Sequence, residues 1–590
     1  MKLSNNALNF LLAQYRAIFK RAYVKGLAAA VIVTAGMAAG QTQAAAGLEN
    51  GNNFYFYNGT DWTEQKYNTI SADGIVAGAI AGDGLSGDSI ADEKGQHVAS
   101  GGTLTIDGVG GVSGSIANVI SGAVAGGWAQ SAKSGTISAE HNNVLITGTG
   151  YVDKASATAG TRGTVFGGYA KNTVDSAIAS YNTITIKEHD STAHEAASNG
   201  LIGGAAYGQK GATASHNEVS VVGSSATDIE KISISNTGGD VVGGLASVYL
   251  DGTGAAGNFT VDNNTVTLQF VQVDNASSAG DLYVLGGQLG FKSSDDGVVN
   301  GTASLNKVQL SGSSVDISGS GIIAGAYNDQ SKAGSGSLTF SQNSLDISAT
   351  TLTEADASKF FALAGAQVVS NNTAEVHGNT LSLTDVDLTQ TKKGSAAGAS
   401  ITGSGTLINA TNNTASITAN EAKSLTSNVA GVAIDNSAAE GSDVTITATG
   451  NKVTIGADVT VDADLIAGAT VTVSGSALSS LTMNNNSITI EGSTKGQVYA
   501  ANFSNKGGDI TGSTSFLNND VTLANGSEVQ SGSIVGGAGK DSVVDIASGS
   551  TYIANTGNSQ DIASDVIKIA GEIKVEGSNT LDISGFYKDG

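Results

Sequence analysis

The chain has 590 residues with 81 glycines, no proline and no cysteine, which excludes a disulfide scaffold, a thiolate metal site and a cysteine nucleophile. Only 14% of residues are charged, and the formal net charge is −24. Such a surface repels nucleic acid and anionic lipid, so no nucleic-acid partner is expected. High Gly and Ser content often marks disorder, but the ordered spacing of Val, Ile and Leu described below speaks against it. Few aromatics and no proline suit a narrow, close-packed stack of strands, because proline cannot donate to a ladder.

Residues 1–44 read as a signal peptide with a long n-region. Lys2, Arg16, Lys20, Arg21 and Lys25 precede an apolar run from Gly26 to Gly40, and no acid occurs among these 44 residues. Small residues follow, and Ala44 or Ala46 is the expected last residue removed. The run is shorter than the ~20 residues of a spanning helix. Export to the cell surface, at the outer membrane, or into the medium is therefore expected.

Residues 45–115 form an N-terminal cap and the first irregular coils in this reading. Phe54, Tyr55, Phe56, Tyr57 and Trp62 make the densest aromatic cluster of the chain. An open solenoid needs its ends covered, and this cluster suits that task.

Residues 116–525 carry a regular repeat: asparagine, any residue, apolar, any residue, apolar. It occurs at Asn142, Asn182, Asn217, Asn264, Asn306, Asn343, Asn379, Asn413, Asn451, Asn486 and Asn519, a mean period of about 38 residues. Asn579 repeats it after an irregular gap, and Gly102 precedes the same apolar pair, Leu104 and Ile106. Before each asparagine, positions five and three earlier are apolar or small, as at Ala177 and Ala179, Phe259 and Val261, or Leu481 and Met483. Alternation at period two marks a strand with one buried face. The inward parity switches at the asparagine, so the chain must turn a corner there, which suits a residue tolerant of left-handed geometry.

A second motif, apolar, any, small, glycine, lies between the asparagines. It runs Ile75–Gly78, Val124–Gly127, Val165–Gly168, Leu201–Gly204, Val241–Gly244, Val284–Gly287, Ile322–Gly325, Ala362–Gly365, Leu465–Gly468 and Ile534–Gly537. Glycine in a strand marks a bend or a close backbone approach. Each repeat thus supplies three short strands. The predicted fold is all-β, a right-handed parallel β-helix of about 12 coils of roughly 33–47 residues, with one three-stranded coil per repeat and a structural ladder of asparagine amides along the axis. Residues 526–590 read as C-terminal irregular coils with no barrel.

No catalytic, cofactor or metal residue emerges. Gly87-Asp88-Ser89-Ile90 has the look of an esterase nucleophile block, but the last histidine, His377, lies inside a repeat. His189 and His194, with Glu188, Asp190 and Glu195 nearby, are five apart where a helical zinc pair needs four. Gly536 to Val543 fits one copy of a calcium-binding nonapeptide that works in tandem arrays. Asp295-Asp296 and the other carboxylates show no pairing repeated in register.

The long signal, the acidic cysteine-free body and the Gly/Asn/Thr-rich repeats resemble the passenger domains of type V secreted proteins, the autotransporters, and among them the pertactin-like β-helical adhesins. The resemblance implies an exported cell-surface stalk that mediates attachment or autoaggregation. Its implied partners are a host or bacterial surface receptor or glycan, or further copies of itself, together with an outer-membrane translocator barrel. No barrel pattern appears in this chain, whose solenoid repeat runs almost to Gly590. The alternative is a β-helical carbohydrate-active enzyme, a polysaccharide lyase or hydrolase, whose acids would cluster on one face.

Overall fold

In a computed structural model of the chain, the described residues lie between 53 and 585. Residues 1–52 and several stretches between strands fall outside the description, the longest being 83–96, 108–118, 154–163, 190–199 and 249–256. The signal peptide with Ala44 and Ala46, the Gly87–Ile90 block, Asp190, His194, Glu195, Asp295, Asp296 and Asn579 therefore lie outside the described residues.

The described residues from Asn53 onward belong to one compact unit. It is a β-solenoid of three sheets, built almost wholly from parallel pairs. The strands that lead into each asparagine stack into a 12-stranded approach sheet, and those that leave it stack into a 14-stranded departure sheet. The glycine strands belong to a third, 26-stranded sheet. Equivalent asparagines in successive coils are 33 to 47 residues apart, the range expected from the repeat.

The third sheet is larger than the sequence suggested. In the middle coils it contains a second file of short strands after the departure strand, such as Val271–Asn275, Ser314–Ile317 and Thr351–Glu354. From Lys423–Asn436 to Ser493–Lys506 this file fuses with the glycine strand into strands of 14 to 16 residues, and it separates again as Glu528–Ser531 and Ile534–Val535. Val273, Val315, Leu352, Leu388, Leu425 and Val461 form its buried column, each in register with the next.

The glycine motif is also corrected by one residue in part of the chain. Val284 pairs with Ile323, not Ile322, and Ile323 pairs with Leu363, not Ala362. Val76 and Ile466, rather than Ile75 and Leu465, stand in the same inward column. The sequence motif slipped because a run of two adjacent glycines in the early coils becomes Gly-Ala later, as at Gly325-Ala326.

Two hydrophobic cores run the length of the solenoid. One, rich in Val, Leu and Ile, lies between the departure sheet and the first half of each glycine strand. The other, richer in alanine, lies between the approach sheet and the second half. Between them the coil narrows to a waist, where the glycine strand touches the asparagine corner. A Cβ on Gly168, Gly204 or Gly244 would sit 2.4 Å from the amide carbon of Asn182, Asn217 or Asn264 respectively. In these coils proximity, and not an unusual φ, favours glycine; later coils carry Ala326, Ala366 and Ala399 at the same register position.

At the two ends the pattern changes. Asn53–Tyr57 and Trp62–Lys66 form an antiparallel hairpin, and its first strand pairs antiparallel with Gly74–Gly82. At the other end the approach sheet stops at Ile510–Ser515. The coil then shortens to 23 residues, as from Asp520 to Val543, because one core is closed off beside Phe503 and Phe516.

Candidate binding surface

The asparagine ladder is the feature around which every surface is arranged. All eleven ladder asparagines are buried. Each side-chain Nδ2 donates to Oδ1 of the next asparagine at 2.9–3.1 Å, from Asn142 to Asn519. The same Oδ1 accepts the backbone N–H of the preceding asparagine, as from Asn306 to Asn343 at 3.1 Å. The second Nδ2 hydrogen reaches a carbonyl one coil back, such as Val261 for Asn306. Two donors and two acceptor sites are all used, which is the full capacity of a carboxamide. Gly102 N–H caps the first amide, and the Ser542 hydroxyl takes the place of an amide after Asn519.

The left-handed turn lies one residue before the asparagine, which corrects the sequence reading. Its occupants are His141, Tyr181, His216, Asn263, Leu305, Gln342, Asn412, Asn485, Asn518 and Asp541, with φ between 52° and 62°, joined by Gly378 and Gly450. The asparagine itself must point inward to bond its neighbours, so the strain of the corner falls on an exposed residue. Leu305, at φ 56° and 49% exposed, is the least suited of them. Leu305→Asn is expected to raise unfolding stability by about 1 kcal/mol, read as a higher urea midpoint. An unchanged or lower midpoint would count against the assignment of strain to this position.

On three consecutive coils the corner carries stacked rings. His141 and Tyr181 lie 4.8 Å apart and Tyr181 and His216 4.6 Å apart, nearly parallel. Their faces are used on one another, which offsets part of the cost of left-handed geometry.

The approach sheet presents a flat polar face beside this corner. Thr213, Thr260, Thr302 and Thr339 form one outward file in register. Ser180, Ser215, Asp262, Ser304 and Ser341 form a second. Their side chains bond along the axis: Ser180 with Ser215 at 2.9 Å, and Ser304 to Asp262 at 2.6 Å. From the approach strand through the corner to the departure strand the coils run without insertion as far as Leu407–Thr411, as in Gly257–Asp262 followed by Thr265–Gln269, and the later approach strands carry bulges. Variation in coil length falls on the glycine-sheet side. The departure face is more charged, with Lys187, Glu218, Lys307 and Asp346 on the same coils, and Lys307 paired to Asp346 at 3.2 Å.

A groove of about 340 Å³ opens at the other corner, lined by Thr351, Asp385, Asp387, Asn420, Glu421 and Lys423. Three carboxylates meet there, yet two are committed to holding the Asn420-Glu421 turn. Asp385 accepts the Asn420 backbone N–H and side-chain amide, both at 2.6 Å. Asp387 accepts Lys423 Nζ at 3.0 Å and the Ser424 N–H. The Asn420 N–H holds the Asp385 carboxyl below its ordinary range, and the Asp387 carboxylate holds Lys423 above its own.

General acid–base hydrolysis needs two close carboxyls pushed apart in pKa, one of them upward. Among the described residues, the carboxyls pushed up by burial are Glu218 and Asp520. They stand eight strands apart in the departure sheet, on the order of 38 Å. The turn over the groove has its own pH dependence. Asp385 is depressed in the folded state, so its contribution is complete above the unfolded carboxyl value and is lost as pH falls through the lower folded one. Amide exchange at Asn420 is expected to quicken below about pH 4; exchange indifferent to pH beyond its intrinsic rate would refute this role.

The remaining sequence candidates resolve into structure. Gly536 and Gly537 belong to the glycine column, where a Cβ on Gly537 would lie 3.0 Å from Asn519, and Ser542 belongs to the ladder. Glu188 and His189 end a departure strand. His377 bridges Thr411 at 2.7 Å and Glu375 at 3.0 Å on the approach face. Among the described residues, no group of three or more His, Asp or Glu is placed to hold a metal ion. The approach-face files escaped the sequence reading, although the threonines recur four residues before the asparagine in four successive repeats. Comparison with protein-family models, with curated proteins and with solved structures gives no match.

Proposed function

We propose that the chain is an exported cell-surface stalk of the autotransporter-passenger kind, an adhesin-like protein that mediates attachment or autoaggregation. The observation that carries this reading is the polar face that the approach sheet presents from Gly211–Ser215 to Ser337–Ser341. It is long, flat and hydrogen-bonded within itself, and it is held in place by a fully satisfied amide ladder. A surface of this kind offers many weak, repeated contacts along a rigid axis, which suits adhesion through multivalency better than turnover of a substrate. The proposed partners are a surface receptor or glycan, or other copies of the chain, and a translocator barrel for export.

The test is display on a non-adherent bacterium. Cells carrying the protein are expected to bind host-cell or glycan-coated surfaces, or to settle as aggregates, whereas cells carrying the empty vector do neither. Display with no change in either property would sink the proposal. The second reading, a carbohydrate-active enzyme, would place its chemistry in the groove where Asp385, Asp387 and Glu421 meet. It requires that purified protein release reducing or unsaturated ends from polysaccharide, and that Asp387→Asn abolish the release.

A further inference from the structure

We propose that Thr411, His377 and Glu375 form an acyl-transfer site on the approach sheet, with the Thr411 hydroxyl as nucleophile and carboxylic esters as substrates. This activity stands apart from the adhesin reading and does not depend on it.

The strands set the side chains next to one another. Glu375 and His377 lie two residues apart on Thr373–His377, so both face outward. On the next coil Thr411 stands in register with His377, and Asn409 with Glu375. His377 Nδ1 is 2.7 Å from Thr411 Oγ1, and His377 Nε2 is 3.0 Å from Glu375 Oε2. The same carboxylate oxygen accepts Asn409 Nδ2 at 2.8 Å, which holds it from a second side.

The carboxylate settles where the protons sit. An ionised carboxylate only accepts, so the ring nitrogen facing it carries hydrogen. A neutral imidazole has a single N–H, which leaves Nδ1 as acceptor and makes Thr411 the donor. The hydroxyl proton thus already points at a base, which is how a weak alcohol becomes a nucleophile. Glu375 touches no substrate. It is a positioning residue that fixes the tautomer and steadies the imidazolium once formed.

The following coil supplies a donor. Thr449 is in register with Thr411, and its Oγ1 is shielded from water with no hydrogen-bond partner among the described residues. A buried hydroxyl without an acceptor is costly, and an ester oxygen turning anionic would accept from it. Access is open on the other side. Gly378 follows His377 in the left-handed corner, and a Cβ there would meet only Gln342 Cγ, at 3.8 Å.

In the reaction Thr411 Oγ1 bonds to the ester carbonyl carbon while its proton passes to His377 Nδ1. Collapse of the tetrahedral intermediate breaks the ester carbon–oxygen bond, and the leaving alcohol takes that proton. Water, deprotonated by Nδ1, then releases the acid and restores the Thr411 hydroxyl.

The experiment is hydrolysis of p-nitrophenyl acetate by the full chain. Wild type is expected to release nitrophenol faster than buffer, and mass spectrometry of quenched protein to find an acetyl group on Thr411. Thr411→Val keeps the shape and removes the hydroxyl; it is expected to slow release at least ~10-fold and to lose the adduct. Thr411→Ser is expected to stay within ~3-fold of wild type. Glu375→Gln keeps an acceptor oxygen and is expected to retain more activity than Glu375→Leu. Far-UV dichroism and the urea midpoint establish that the variants fold. A wild type no faster than buffer, or a folded Thr411→Val as fast as wild type, overturns the proposal; equal rates in the two Glu375 variants remove Glu375 from it.

Discussion

Asn306→Ala is expected to destabilise the solenoid by about 4 kcal/mol, one of the largest losses available to a single side chain here. The substitution removes four hydrogen bonds at one point. Asn264 loses the acceptor for its N–H and for its Nδ2. Asn343 Oδ1 loses one of its two donors and keeps the backbone N–H of residue 306, and the Val261 carbonyl loses the Asn306 amide. All these groups are shielded from water, and each buried group left unpaired costs ~1–3 kcal/mol, with partial relaxation. In a solenoid each coil touches only its neighbours, so the damage should stay local. Amide exchange is expected to rise around residues 264, 306 and 343 while distant coils keep their protection, and the urea midpoint should fall. Asn306→Ser keeps one acceptor, as Ser542 does in the chain itself, and is expected to cost about half as much. A loss below ~1 kcal/mol for alanine would mean that the amides are not cooperating as the distances imply.

Gly243→Ala should be nearly as damaging, about 3 kcal/mol, although the change adds a single methyl. The added carbon would lie 2.4 Å from the Gly286 carbonyl oxygen, 3.1 Å from Asn264 Cβ and 3.1 Å from the Thr265 nitrogen. Two of these three atoms are backbone, so no rotamer change relieves the contact. The glycine strand must move off the ladder, and both cores open with it. Ala500 occupies the equivalent place only where the next coil is about to narrow. Equal urea midpoints for wild type and Gly243→Ala would show that the waist is looser than its spacing indicates. Gly135→Ala is the useful contrast, since a Cβ there meets nothing within 4 Å and only its φ of 115° resists substitution.

The fold was legible in the sequence because one residue type does one task once per coil. The ladder amides are buried, point the same way and sit at a fixed offset from apolar pairs such as Val308 and Leu310. That combination survives changes of coil length. The left-handed corner was misplaced by one residue because the ladder asparagine beside it recurs in every repeat, whereas the corner position changes type from His141, Tyr181 and Leu305 to Asn412 and Gly450. The extra strand file was missed because its buried column draws one residue from each short strand, such as Leu352 or Leu388. No alternation can be read from one position. The glycine motif was visible as the mark of a bend or a close approach, but nothing in sequence tells that the atoms opposite it are the ladder amides. The polar face went unseen for a related reason: threonine on the outside of a strand is ordinary, and only stacking turns it into a surface.

The one-way run of the amides has a consequence for how such a protein changes length. Any coil presents the same acceptor below and the same donor above, whatever its loops contain. A segment cut from one ladder asparagine to the next is thus a plug with matching sockets. Losing or duplicating such a segment would shift the tip by ~4.8 Å and renew the amide bonds at the seam, whereas a cut between non-equivalent points of two coils would leave the ladder without an amide in place there.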